Sequence, residues 1–281
     1  MLKQRIITAL LMLVILLPAV FYPAPEAFGA VAVVLISAGA WEWAKLNQYS
    51  QVQALLTAVF CAALCVISWY GGLVHAALKV LWIGAGSAWV VLGAWLLHGG
   101  VRVWASVPRV LRLAGGILAL WVAWLAVTQA RIIGINFLFS ILVLVWVADI
   151  FAYFAGRALG GRFFTRKLAP SISPGKTWEG AIGGMVGVVV CSLIWRSLDV
   201  LATPEQAGIY SRLGAAGVPF MVLAVLFLAA MSVVGDLVES LFKRSAGVKD
   251  SSGLLPGHGG VLDRVDALLP ILPLAMMLTS L

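Results

Sequence analysis

Acidic side chains are scarce in this chain, six Asp and five Glu in 281 residues, and their placement is uneven. Five of the eleven, Asp236, Glu239, Asp250, Asp263 and Asp266, fall within 31 positions. In "GDLVESLFKRS" the spacing i, i+3, i+4, i+7 sets Asp236, Glu239, Ser240 and Lys243 on one helix face. Glu239 and Lys243 also satisfy the ordinary i,i+4 ion pair, whereas Asp236 has no cation near it in sequence. After "LLPGHGG", whose proline and glycines exclude helix, Asp263 and Asp266 stand one turn apart with Arg264 between them. One aspartate at a helix start is explained by capping and the helix dipole. Two, with Arg264 and His258 after a glycine-rich loop, call for a ligand. Such a loop lets backbone N–H groups approach phosphate oxygens. Hard carboxylate oxygens beside Lys243, Arg244, Lys249 and Arg264 suit Mg²⁺, which combines one or two carboxylates with substrate phosphates and water.

A second polar stretch, "DIFAYFAGRALGGRFFTRKLAPSISPGKTWEG", agrees with that chemistry. Asp149, Tyr153 and Arg157 run down one face. Arg157, Arg162, Arg166, Lys167 and Lys176 precede the next apolar run, and Ser173, Lys176 and Thr177 flank Pro174 and Gly175. Lys176 is a phosphate contact by type, but the upstream glycine of a P-loop is missing, and no G-x-G-x-x-G occurs. A soluble nucleotide hydrolase is excluded. Cys61, Cys65 and Cys191 lie in apolar runs without histidines to complete a soft metal set, and read as small buried hydrophobes. Glu42 in "AWEWAKL" has two readings: an intramembrane acid with a function, or a side chain reaching the interface between Trp41 and Trp43. The residues describe a metal-assisted, phosphate-handling membrane enzyme.

The elements that carry these residues follow from composition. Hydrophobic residues make up 63% of the chain and charged residues 11%, against roughly 25% charged in soluble domains. Continuous apolar runs of about 20 residues, rather than alternating strands, predict an all-α polytopic membrane protein. About nine spans are expected, near 4–22, 27–46, 52–70, 75–97, 111–130, 132–155, 178–197, 217–240 and 261–281. Two regions result, 1–130 with five spans and 131–281 with four. With the N-terminus in the cytoplasm, fifteen of nineteen Lys and Arg lie on that side, only Lys79, Arg131, Arg196 and Arg212 opposite. The loops 156–177 and 241–260 then face the cytoplasm, and 198–216 faces away. The net charge of +8 is explained by this bias, and no basic, aromatic-interleaved module for nucleic acid is present.

The passage "SLFKRSAGVKDSSGLLPGHGGVLDRVD" closely resembles the signature of the phosphatidate cytidylyltransferases, the CDP-diacylglycerol synthases. Ser240, Lys243, Arg244, Lys249, Asp250, His258, Gly259, Gly260, Asp263, Arg264 and Asp266 match it. "SPGKTWEG", "DIFAYFAGR" and "RIITAL" extend the likeness over most of the chain, and Ala267 departs from the serine common there. The resemblance implies transfer of CMP from CTP to phosphatidic acid, with pyrophosphate released. It further implies Mg²⁺, a monovalent cation such as K⁺ beside it, a homodimer, and an inner-membrane enzyme with its site toward the cytoplasm. Asp236 and Asp263 would be metal ligands, with Glu239 and Asp266 as further ligands or supports and Lys249 and Asp250 in the catalytic set. Ser173, Lys176, Thr177, Lys243, Arg244 and Arg264 would hold phosphates, His258 would hydrogen-bond, and Gly259 and Gly260 would allow close backbone approach. A CTP-dependent polyprenol or lipid kinase is the alternative enzyme. An ion-coupled transporter, which needs midplane acids in repeat-related helices, is the non-enzyme alternative.

Overall fold

A computed structural model describes residues 2–199, 203 and 206–281. Positions 200–202 and 204–205, inside the 198–216 connection, and Met1 lie outside the described residues. The chain is helical, with no β-strand among the described residues. The helices are α1 (Leu2–Phe21), α2 (Pro25–Leu46), α3 (Gln51–Tyr70), α4 (Lys79–Ser106), α5 (Arg109–Ile133), α6 (Ile135–Leu159), α7 (Trp178–Leu198), α8 (Ile209–Gly214), α9 (Val218–Ser245), α10 (Leu262–Val265) and α11 (Leu268–Ser280). Eight of them, α1 to α7 and α9, are long and apolar enough to cross a membrane. Each matches an expected span.

The ninth expected span, 261–281, is not a single helix. It breaks at Asp266 and Ala267 into α10 and the 13-residue α11. Pro270 has no N–H to give the Asp266 carbonyl, and the Ala267 N–H turns to the Asp266 side chain at 2.8 Å. At 1.5 Å per residue α11 is about 20 Å long, short of a ~30 Å hydrocarbon layer. Residues Pro270 to Met276 are all buried, packed against α4, α5 and α9. A helix that is apolar all round belongs inside a bundle, and α11 is the centre of this one. α4 also differs from expectation. It runs on past residue 97 to Ser106 across a kink at Gly100, whose φ of 64° suits glycine. Within 198–216, which carries no sequence signal for structure, α8 forms with Ile209, Tyr210 and Leu213 buried.

The tightest helix pair is α6 with α7. Gly180 and Gly184 of α7 lie so close to α6 that an added Cβ would stand 2.9 Å from the Ala152 carbonyl oxygen and 2.7 Å from that of Ala148. Small residues at a helix interface let backbones approach without a hydrophobic drive between lipid-bathed helices. That approach brings the C-terminal end of α6 beside the N-terminal end of α7, where the polar residues lie. A larger residue at Gly184 meets backbone rather than a movable side chain. Gly184→Leu is expected to cost about 1–3 kcal/mol, read as a lower thermal midpoint in detergent. Gly115→Ala, with open space around it, should leave the midpoint unchanged.

Candidate active site

The polar residues gather at one end of the bundle, where α2, α6 and α9 finish and α7 and α10 begin. Two loops cover that end, and both are built on a proline turn. In 168–176 the Ile172 N–H donates to the Ala169 carbonyl across Pro170, and Leu168 and Lys176 close the base. In 250–260 the His258 N–H donates to Leu255 across Pro256, and Leu255 bonds back to Gly259. Proline at the second position and Gly257 at the third, with φ of 78°, are the residues such a turn requires. Arg244 joins the loops to α9, donating to the carbonyls of Ile172 and Val248 at 3.2 Å each.

Three buried carboxylates hold segments at this end of the bundle from below. Glu179, in the first turn of α7, accepts the N–H groups of Gly161, Phe163 and Phe164 on one oxygen at 3.0–3.1 Å. Glu42, near the end of α2, accepts Ser251 Oγ, Ser252 Oγ, Val261 N and Leu262 N. Asp263 Oδ2 accepts Ser251 N at 2.8 Å, Ser251 Oγ at 2.9 Å and Gly260 N at 2.7 Å. Its other oxygen meets Lys243 Nζ at 2.5 Å, and the same ammonium pairs with Glu239. Burial alone would push the Asp263 carboxyl up. Lys243 and the N–H groups of Gly260 and Ser251 outweigh it and hold the group below the usual carboxylate range.

The second cluster lines an open groove of about 540 Å³ between α6, α7 and α9. Its polar lining is Asp149, Tyr153, Arg157, Lys176, Thr177 and Asp236; its apolar lining includes Ala148, Met185, Ala229 and Val233. Asp236 pairs with Lys176 and accepts Ser240 Oγ at 3.3 Å. The cation Asp236 lacks in its own segment therefore comes from 60 positions away. Thr177 caps α7, its hydroxyl accepting the Gly180 N–H at 3.1 Å. Tyr153 and Arg157 are joined at 3.0 Å.

The sequence-predicted residues thus separate into roles. Lys243 is locked between Glu239 and Asp263, Arg264 donates twice to the His258 carbonyl, and the Gly260 N–H is taken by Asp263. Lys249 and Asp250 are exposed. Asp263 and Asp266, read as one face, have different surroundings: Asp266 lies within electrostatic reach of Asp236 and Asp149, beside the groove. Sequence reasoning left Glu42 open and gave Glu179, within "SPGKTWEG", no role. The signal for both was a carboxylate in an apolar setting. Arg5 and Thr8 of α1, which donate to the carbonyls of Gly257 and Pro256 at 2.9 Å, had no signal beyond the "RIITAL" likeness.

As a metal site, the groove lining offers Asp149 and Asp236, with Asp266 outside the lining but within electrostatic reach of both. No set of three His, Cys, Asp or Glu converges as ready ligands among the described residues. The donors are hard oxygens within electrostatic range of one another, a set that fits Mg²⁺ completed by phosphate and water.

The cytidylyltransferase family profile matches residues 3–281. A phosphatidate cytidylyltransferase of Pseudomonas aeruginosa is 39% identical over 97% of this chain and 95% of its own length. One from Haemophilus influenzae is 34% identical over 97% and 96%. One from Bacillus subtilis is 40% identical over 53% of this chain and 49% of its own.

The Lys243 bridge gives a stability test. Lys243→Met leaves two nearly buried carboxylates, each side chain 5% exposed, without their cation. A loss of about 3–5 kcal/mol is expected, measured by thermal unfolding in detergent. Lys249→Ala should leave the midpoint in place.

Proposed function

The chain belongs to the cytidylyltransferase family and is a nucleotidyltransferase; we propose that its reaction is transfer of CMP from CTP to phosphatidate, giving CDP-diacylglycerol and pyrophosphate. The observation that carries this reading is the groove's division. Lys176, Asp236 and Asp149 line part of it, and apolar side chains of α6, α7 and α9 line the rest. An acyl-bearing phosphate fits that division, chains along the apolar lining and headgroup by the polar one.

The chemistry asks little of a base. An oxygen of the phosphatidate monoester, already anionic, attacks the α-phosphorus of CTP. The bond from that phosphorus to the oxygen bridging to the β-phosphorus breaks, and pyrophosphate leaves with the electron pair. The task is to hold two polyanions together and stabilise charge on the departing pyrophosphate. Lys176 is assigned to this role, turning from Asp236 to phosphate when substrate arrives. Lys249, exposed on the loop, and Arg157, at the groove mouth, are assigned as further phosphate contacts. Lys243, Arg244 and Arg264 are assigned to keep the loops in place through the contacts they already make. Ser173 and Thr177 set the turn that presents Lys176. Asp236, with Asp149 and Asp266, would hold Mg²⁺, which supplies charge neutralisation on the phosphates when bound. Asp263 and Glu239 support this set through Lys243.

The setting completes the reading. The groove end bears most of the Lys and Arg, and positive-inside bias supports a cytoplasmic face on an inner membrane. CTP then arrives from water and phosphatidate from the bilayer. A homodimer and an accompanying monovalent cation are part of the proposal, on the family resemblance alone.

Purified protein in detergent with Mg²⁺, phosphatidate and labelled CTP tests the reading. Lipid-borne cytidine with equimolar pyrophosphate is expected; transfer of the γ-phosphate instead would mean a kinase. Asp236→Asn should lower turnover by about 10²-fold or more with folding unchanged, and chelation should abolish activity until Mg²⁺ is restored.

A further inference from the structure

Glu42 belongs to neither loop, does not line the groove, and lies over 200 positions from its partners. Its side chain is fully buried, at 0% exposure, and no Lys or Arg pairs with it among the described residues. Its charge is met by four donors instead, all from the 251–262 segment: Ser252 Oγ at 2.6 Å, Val261 N at 2.9 Å, Leu262 N at 2.8 Å and Ser251 Oγ at 3.1 Å. That equals the roughly four lone-pair sites of a carboxylate. The Ser251 hydroxyl also lies 2.9 Å from Asp263 Oδ2, so one hydrogen is shared between Glu42 and Asp263. Gly260 closes the pocket, since a Cβ there would stand 2.5 Å from Glu42 Oε1.

None of these bonds ties one long helix to another. Each ties a loop to the bundle, so their loss loosens the loop and leaves the helix packing in place. We infer that Glu42 is a positioning residue that fixes residues 251–262 over the active site, and through Ser251 sets the Asp263 carboxylate that holds Lys243. Its consequence for catalysis rests on the proposed CMP transfer; the clamp itself does not.

The test uses the full-length protein in detergent. In Glu42→Gln the amide group must place its NH₂ against either the Val261 or the Leu262 N–H, whichever way it turns. The serine hydroxyls can rotate to accept; the backbone amides cannot. Without substrate, amide hydrogens in 251–262 should exchange about tenfold faster or more, while those of 161–164, held by Glu179, keep wild-type rates. With substrates, KM for CTP should rise by about tenfold while KM for phosphatidate stays constant. Ser252→Ala, which drops one donor, should move both readouts less and in the same direction, and carries the test if Glu42→Gln fails to fold.

Unchanged exchange in 251–262 would overturn the inference. So would equal acceleration in both loops, or faster exchange with unaltered kinetics for CTP. Failure of wild-type protein to make lipid-borne cytidine would remove the proposed function and leave the exchange result to decide the clamp.

Discussion

A carboxylate withdrawn from water must be met by donors, and the donors this chain supplies are mostly backbone N–H groups of loops. An unmet charge near hydrocarbon costs several kcal/mol, so Glu42, Glu179 and Asp263 can be buried only where a segment of chain bends around each. Seven backbone N–H groups converge on these three side chains. The cost of burying the charges thus becomes the force that shapes the surface above them. It also explains the composition of the loops. Serines 251 and 252 add hydroxyl donors, and Gly260 leaves room that any side chain would fill.

The bundle beneath has the complementary task of bringing distant segments to one end. Glycine faces on α7 let it lie against α6, setting Lys176 where it meets Asp236 of α9. The short α11, buried at the centre, brings Asp266 beside the groove because Pro270 breaks the helix at that point. Lys243 then joins the two halves of the site, since its ammonium meets Glu239 on its own helix and Asp263 on α10.

Much of this was legible in the sequence. Eight spans declared themselves because lipid forces helices and helices need long apolar runs. The Glu239–Lys243 pair followed from spacing alone, and the face shared by Asp149, Tyr153 and Arg157 is the one that lines the groove. What stayed hidden was long-range. Asp236 gave no hint of Lys176, because the pairing depends on how closely α6, α7 and α9 pack. Glu42 read equally as a buried functional acid or an interfacial one, since its partners are backbone amides, which carry no residue-type signal. The last apolar run read as a span because hydropathy does not register that prolines shorten its helix and neighbours bury it. The likeness to the cytidylyltransferases singled out residues that gather at this end of the bundle but not which of them would be engaged by the protein itself.

The central claim is that buried carboxylates fix two loops around a groove whose lysine, Lys176, leaves Asp236 to meet the substrate phosphates. A structure of the protein with Mg²⁺ and a non-hydrolysable CTP analogue tests it most directly. The account predicts the triphosphate at the groove mouth, Lys176 moved from Asp236 to a phosphate oxygen, and the Glu42 and Glu179 contacts unchanged. A nucleotide bound elsewhere, with Lys176 still on Asp236, would contradict it.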